Sequence, residues 1–219
     1  MMFSYIPTKN FLWIIKKFYN MIHFITPLYR YNNLKTIYST IKHQVEDFNW
    51  HLIEGSNTIG EDNFSFLKED NRIKFYKIDT SHIWGHEQRN YFITDIPVDN
   101  NDWCYFLDDD NVVTWDLIST YNQEKNSEVD LVLFSQKAGL TEKIRLYGDG
   151  EHRFDLGLFD IGSCIMRYRM LKKTYIHNIS HRNADGHYAL DIRQLKNEHI
   201  FKYCPDKFVR YNSLSLEIT

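Results

Sequence analysis

The chain has 219 residues, enough for one domain with a real core or a domain plus a small appendage. With 43% hydrophobic residues, 25% charged residues and a net charge of −3, it lacks the basic footprint of a nucleic-acid binder, and no nucleic-acid partner is expected. Three widely spaced cysteines, Cys104, Cys164 and Cys204, argue against a disulfide framework or a Cys-x-x-Cys zinc site and for a reducing, cytoplasmic setting.

The first element in chain order is the apolar stretch Asn10–Ile25, which Lys16 and Lys17 interrupt. It is too short and too charged to span a bilayer, and it lacks a signal cleavage site. Two readings fit it: a helix packed on the domain, or an interfacial helix. In the second, Phe11, Leu12, Ile15, Phe18 and Tyr19 face lipid, giving a peripheral membrane contact.

Short apolar runs rich in β-branched and aromatic residues follow at Ile22–Thr26, Trp50–Glu54, Ile73–Lys77, Trp103–Leu107, Leu131–Ser135 and Phe159–Met166, and these predict strands. Between them the helical period recurs. Asn32–Asp47 carries Leu34, Ile37, Tyr38, Ile41 and Val45 on one face, Glu87–Phe92 opens a second helix, and Trp115–Gln123 is a third. This alternation predicts an α/β fold with a largely parallel sheet, whose ligands bind outside the carboxyl ends of the strands. Gly139–Leu156 reads as a long loop or a pair of edge strands, and the tail from Tyr203, with Pro205, Lys207 and Arg210, reads as a wrap-around segment.

The run Trp103–Leu107 has the continuous apolar character of a strand buried on both faces, and Asp108, Asp109, Asp110 and Asn111 follow at once. Three adjacent carboxylates at a buried strand's mouth repel one another and lose solvation. A hard divalent cation such as Mn2+ or Mg2+ relieves that conflict and bridges to the phosphates of a nucleotide. A solvated loop with Asp at a helix N-terminus is the plainer alternative. An EF-hand is excluded, because Val113 stands where its sixth-position glycine belongs.

Tyr105–Asn111 resembles the D-x-D region of GT-A glycosyltransferases, closest to the glucuronyltransferases whose strand ends in Asp-Asp-Asp-Asn. Ile25–Arg30 is similar to the first-strand Thr-Pro-x-Tyr of that family, and Gly85–Asn90 to its Gly-x-Glu-Gln-Arg-Asn. The resemblance covers about residues 21–195. It implies a GT-A (Rossmann-like) single domain over 21–219 with a mostly parallel central sheet, after an extension over 1–20. The nucleotide-binding half runs over about 21–111 and the acceptor half over about 112–219. It further implies a metal-dependent transfer of sugar from a nucleotide-sugar donor, a UDP-sugar, to a glycan acceptor hydroxyl with inversion. Pro27 and Tyr29 would then pack on the base, with Thr26 and Arg30 also at the donor nucleotide, Arg89 at the phosphates or ribose, Asp109 at the ribose hydroxyls and Asp110 at the metal, while Asp108 would order the cluster or a metal-bound water. Two departures stand out. Glu54-Gly55 replaces the family's Glu-Asp, leaving Glu54 to read the base, and Trp84 replaces an arginine. The family's C-terminal histidine at the diphosphate has no match, which leaves Lys207 or Arg210.

Inverting transfer needs a carboxylate to take the acceptor proton. Asn183–Tyr188 leads into a helix over Ala189–Leu195, and Asp185 at its N-terminus is the expected base, ahead of Asp191. On the acceptor side, Phe159–Ser163 resembles the family's Ile-Asp-Met-Ala-Gly, which makes Asp160 a sugar ligand, with Arg153 and His187 as further candidates. The pairs His82/His86 and His177/His181 lack a third ligand for zinc. Two other functions remain: a nucleotidyltransferase, for which Thr26–Asn33 lacks the usual glycines, and a catalytically inactive sugar or nucleotide binder.

Overall fold

The computed structural model describes residues 20–59, 65–80, 85–139, 141–146, 154, 159–176 and 184–214. The N-terminal extension, Arg153, Trp84, His82 and the pair His177/His181 lie outside them. Eight strands form one sheet: β1 Ile22–Arg30, β2 Phe48–Ile59, β3 Ile73–Lys77, β4 Trp103–Phe106, β5 Leu131–Ala138, β6 Ile144–Leu146, β7 Cys164–Arg167 and β8 Phe201–Tyr211. The order is β3-β2-β1-β4-β7-β5-β6, with β8 paired to β5. The nucleotide-binding half, β3-β2-β1-β4, is wholly parallel, whereas β7 runs antiparallel to both β4 and β5. Helices α1 Leu34–Lys42, α2 Ser65–Lys68, α3 His86–Asp95, α4 Trp115–Glu124, α5 Tyr168–Leu171 and α6 Ala184–Gln194 complete the described elements.

The side-chain alternation of the strands divides the core in two. On β4, Trp103, Tyr105 and Leu107 pack on one sheet face with Leu34, Ile37 and Ile41 of α1 and Leu117 and Ile118 of α4. Cys104 and Phe106 pack on the other with Phe92 and Ile93 of α3 and Tyr188, Ala189 and Ile192 of α6. The sheet is therefore sandwiched between two helical layers, and a strand whose every side chain is buried reads as unbroken apolar sequence. The three cysteines are free and buried. Among the described residues no helix is long and apolar enough to cross a membrane.

Several boundaries differ from expectation. The tail from Tyr203 is no loose wrap but β8, parallel to β5, with a register shift between Phe134 and Ser135 that absorbs Pro205, Asp206 and Lys207. A bulge of this kind is where a sheet tolerates proline. Phe159–Met166 is not one strand. Asp160 Oδ1 accepts from Gly162 N at 2.9 Å and caps a single 3-10 turn, Ile161–Ser163, so the strand starts only at Cys164. Helix α6 begins at Ala184, so Asp185 lies in its first turn.

Among the described residues Arg167 forms no ion pair with a carboxylate. Its guanidinium lies over the Trp103 ring and donates to the carbonyls of Asn101, Glu124, Lys125 and Ser127, and its Nε to that of Val129, tying the end of α4 to the β4 edge.

Candidate active site

The parallel strands β1 and β4 end side by side, and Leu107 N still donates to Ile25 O at 2.9 Å as the chain leaves the sheet. The next residues form the acidic turn. Its backbone is pinned from both sides: Asn111 N donates to Asp108 O, Asn33 Nδ2 to Asp109 O, and Val113 N to Thr40 Oγ1. Three adjacent aspartates are thereby sent in three directions.

Asp109 points back into the protein and is 2% exposed. Its Oδ2 accepts from Tyr29 N and Arg30 N, both at 2.7 Å, and its Oδ1 from Arg30 Nε at 3.1 Å and Nη2 at 2.5 Å. All its acceptor positions serve to fix the exit of β1, so it is not presented to ribose hydroxyls as the resemblance implied. Arg30 also reaches Asp110 Oδ2 at 3.1 Å and so braces the turn from the end of β1. Burial raises the Asp110 carboxyl against the pull of Arg30. Asp108 pairs with Arg89 of α3, yet burial, Asp110, Asp160 and Asp185 outweigh that cation and push it up to about 7.

The first-strand residues separate by face. Thr26 is fully buried, and its hydroxyl accepts from Trp50 Nε1 at 2.9 Å, so it is internal and not a base contact. Pro27 lies against Gly85. That glycine has a φ of 74°, and a Cβ added to it would stand 2.7 Å from Pro27 Cβ, so no side chain fits. Tyr29 Oη accepts from Gly85 N at 2.6 Å and from Gln88 Nε2 at 3.2 Å. Pro27 and Tyr29 thus dock the N-terminus of α3 onto the end of β1 and present Arg89. Glu54 pairs with Lys77 at 3.3 Å and lines, with Leu28, Leu52 and Phe75, a hollow of about 350 Å3 at the ends of β1, β2 and β3.

The acceptor half brings Asp185 and Asp160 to the same cluster. Asp185 Oδ1 is buried and has no hydrogen-bond partner among the described residues; His86 Nδ1 of α3 stands 3.9 Å away. Burial first, then Asp160, push the Asp185 carboxyl up to about 6, against Arg89, the Ile161 amide and Arg145. Asp160 Oδ2 pairs with Arg145 Nη1 at 2.7 Å, and that guanidinium rests 3.8 Å from the Tyr211 ring. His187 is exposed on α6, two residues after Asp185. Lys207 and Arg210 are engaged elsewhere, Lys207 with Asp116 and Arg210 with Glu142 and the carbonyls of Gly139 and Thr141.

Two residues of the cluster escape sequence reasoning. His86 stands out only as half of a His-x-x-x-His pair. Arg145 lies in a stretch that reads as a possible edge strand, which β6 is, but nothing local ties it to Asp160.

The set fits a hard divalent cation. Asp108, Asp109, Asp110, Asp160 and Asp185 face three guanidinium groups, those of Arg30, Arg89 and Arg145, which leaves negative charge in excess. Among the described residues no three carboxylate, imidazole or thiol groups form a closed metal cage. One or two carboxylates completed by phosphate oxygens and water is the arrangement Mg2+-like ions favour.

No protein-family model matches the sequence, and no curated protein matches it. Solved structures do match in shape. S. aureus TarS 1–349 aligns with a TM-score of 0.63 at 10% identity, over 88% of this chain and 58% of that one. The mannosyltransferase PcManGT of Pyrobaculum calidifontis, in complex with GDP-Man and Mn2+, aligns at 0.61 and 9% identity, over 88% and 56%. The fold is that of the GT-A glycosyltransferases. The chain spans little more than half of these two GT-A proteins. A 4-diphosphocytidyl-2C-methyl-D-erythritol synthase also aligns, at a TM-score of 0.53 and 10% identity over 84% of this chain and 88% of that one. The GT-A scaffold alone therefore does not select the chemistry; the side chains at the strand ends must.

Proposed function

We propose that the chain is a metal-dependent glycosyltransferase that moves a sugar from a nucleotide-sugar, a UDP-sugar, to a glycan hydroxyl with inversion. One observation carries this reading: Asp185, a carboxylate with a buried oxygen that has no hydrogen-bond partner among the described residues, lies in electrostatic reach of a strand-end aspartate cluster with excess negative charge.

Asp110, with Asp108 near it, would hold Mn2+ or Mg2+, which neutralises charge on the leaving diphosphate. The chain's own groups do the rest. Arg89, buried and held on α3, keeps its charge because Asp108 and Asp185 outweigh the cost of burial, and its guanidinium supplies the positive charge for phosphate or ribose. The base lies over the ends of β1 and β2, toward Tyr29 and the hollow that Glu54 lines. Asp160 and Arg145 orient sugar hydroxyls. Asp185 accepts the acceptor's hydroxyl proton as the acceptor oxygen bonds to the anomeric carbon and the bond from that carbon to the diphosphate breaks. A carboxyl pushed up to about 6 suits that task, since a general base works best with a pKa near the operating pH.

The PcManGT complex with GDP-Man and Mn2+ supports a donor and metal of this class, and the likeness of the synthase keeps nucleotidyl transfer as the rival. The test is a donor screen. UDP with Mn2+ should raise the melting temperature by binding linkage, and a UDP-sugar should be slowly hydrolysed only with the metal present. A larger shift with GDP overturns the uracil assignment. Turnover of a nucleoside triphosphate with a sugar phosphate overturns the reaction class.

A further inference from the structure

The acidic turn is pinned on one side by α1. Its other side is held by a segment about a hundred residues later. Beyond β8, Asn212 adopts a φ of 51°, a left-handed turn that asparagine tolerates better than most residues, and the chain folds back over the turn. Leu214 N then donates to Asp110 O at 2.9 Å. Ser213 Oγ donates to the same carbonyl at 3.3 Å and accepts from Val112 N at 3.1 Å. Ser213 is 2% exposed, and its hydroxyl is the only side-chain group among the described residues that bonds both sides of Asn111.

We propose that Ser213 is a positioning residue for the metal site: the hydroxyl and the following amide latch the Asp110 backbone and so aim its carboxylate at the cation. This rests on the reading of Asp110 as the ligand of a divalent cation in a nucleotide complex.

The physical need is specific. Asp110 is buried to 9% exposure directly beside the buried Asp109, so a turn left loose would relax by swinging that side chain out to water. Asp109 is fixed by its own carboxylate, and Asp108 by Arg89. Arg30 pairs with the Asp110 carboxylate at 3.1 Å, and a cation arriving there competes with it. Once Arg30 is displaced, the carboxylate's position depends on its backbone, and that backbone is held from the β8 side by Ser213 and Leu214. Outer groups of this kind, which orient a ligand without touching the metal, typically change metal affinity by roughly ten- to a hundredfold when removed.

The same tail reaches the acceptor side two residues earlier, where the Tyr211 ring supports Arg145 and through it Asp160. The end of β8 thus braces both halves of the site, whereas Ser213 acts on Asp110 alone.

The experiment is calorimetric titration of UDP into the full-length protein, once with Mn2+ and once with a chelator. In Ser213→Ala the Mn2+-dependent affinity should fall about tenfold, the chelator value should stay within about twofold, and the circular dichroism spectrum should be unchanged. Ser213→Thr keeps the hydroxyl and should restore the Mn2+-dependent affinity to within about twofold. A wild-type Mn2+ enhancement retained in full by Ser213→Ala overturns the latch. So does an equal loss with and without Mn2+, which marks a merely structural serine. A wild type with no Mn2+ enhancement at all overturns the functional reading and the latch together.

Discussion

Replacing Asp185 by asparagine should make the protein more stable at alkaline pH while disabling it. The folded-state carboxyl is pushed up to about 6 from its ordinary value of 3.8, chiefly by burial and then by Asp160. A group whose pKa is raised on folding binds its proton more tightly in the native state. The stability it contributes is therefore present below the unfolded pKa, near 4, and is lost as pH rises through about 6. The displacement of roughly two units corresponds to about 3 kcal/mol at most. The side chain keeps 27% exposure, and buried sites respond as if in a medium of effective dielectric near ~20, so we take about 1–2 kcal/mol. Asparagine keeps the shape and an oxygen for the Ile161 amide, but gives up a charge in the first turn of α6, which costs about 0.5 kcal/mol. The net gain of roughly 1 kcal/mol at pH 8 should raise the melting temperature by about 2–4 °C for a domain of this size. The assay is thermal unfolding of wild type and Asp185→Asn, without ligand or metal, from pH 4.5 to 8.5 (roughly the span of the titration). The advantage of the mutant should appear as pH rises through about 6 and vanish at the acid end. A mutant that is less stable at pH 8, or one whose offset does not change with pH, would refute the claim that Asp185 is held ionised against its surroundings.

The other predictions concern chemistry and scaffold. In transfer assays Asp185→Asn should bind donor normally yet turn over roughly two to four orders of magnitude more slowly, and wild-type kcat/KM should rise with pH through about 6 as the carboxylate forms. Asp110→Ala should abolish Mn2+-dependent UDP binding in calorimetry while circular dichroism reports an intact fold; unchanged affinity would remove Asp110 from the metal site. Gly85→Ala combines a left-handed backbone with a contact on Pro27, and should cost about 2–3 kcal/mol in urea denaturation and weaken UDP binding through the displaced Arg89. Arg167→Met strands the backbone carbonyls gathered around the guanidinium and should cost about 3 kcal/mol. Lysine at that position should rescue little, because a single ammonium cannot reproduce a planar fork.

These predictions divide according to what a linear pattern can and cannot carry. Strands β1 and β4 are legible because each carries a short apolar run, buried on both faces, with few polar positions to confuse the reading, and β3 because Ile73, Phe75 and Tyr76 are β-branched or aromatic. The layered α/β fold follows from helix and strand periods alternating. Strand β8 is hidden because Pro205, Asp206 and Lys207 interrupt its pattern, and only the register shift opposite Phe134 and Ser135 shows how the sheet absorbs them. Strand β7 follows a turn capped by Asp160, a residue whose type fits a turn-ordering role as well as the sugar contact that the family pattern implies. The orientation of Thr26 is in fact available from sequence: alternation puts it on the face of Phe24 and Leu28, both core residues, so its hydroxyl has to point inward to Trp50. The family motif points the other way.

The aspartate triplet is the opposite case, because no periodicity rule applies to a turn. Residue type marks Asp108–Asp110 as a site, but the direction of each carboxylate is set by partners far along the chain. Tyr29 and Arg30 amides turn Asp109 inward, Arg89 draws Asp108 toward α3, and Ser213 and Leu214 hold the backbone of Asp110. A run of like charges is unstable in the absence of such partners, since each carboxylate raises the cost of ionising the next. The distribution of partners therefore explains why three identical residues do three jobs. Asp109 is neutralised and structural. Asp108 is half-compensated by a cation that also faces Asp185. Asp110 carries charge that Arg30 offsets only in part, and on the proposed reading it is the one of the three whose remaining demand a divalent cation would meet.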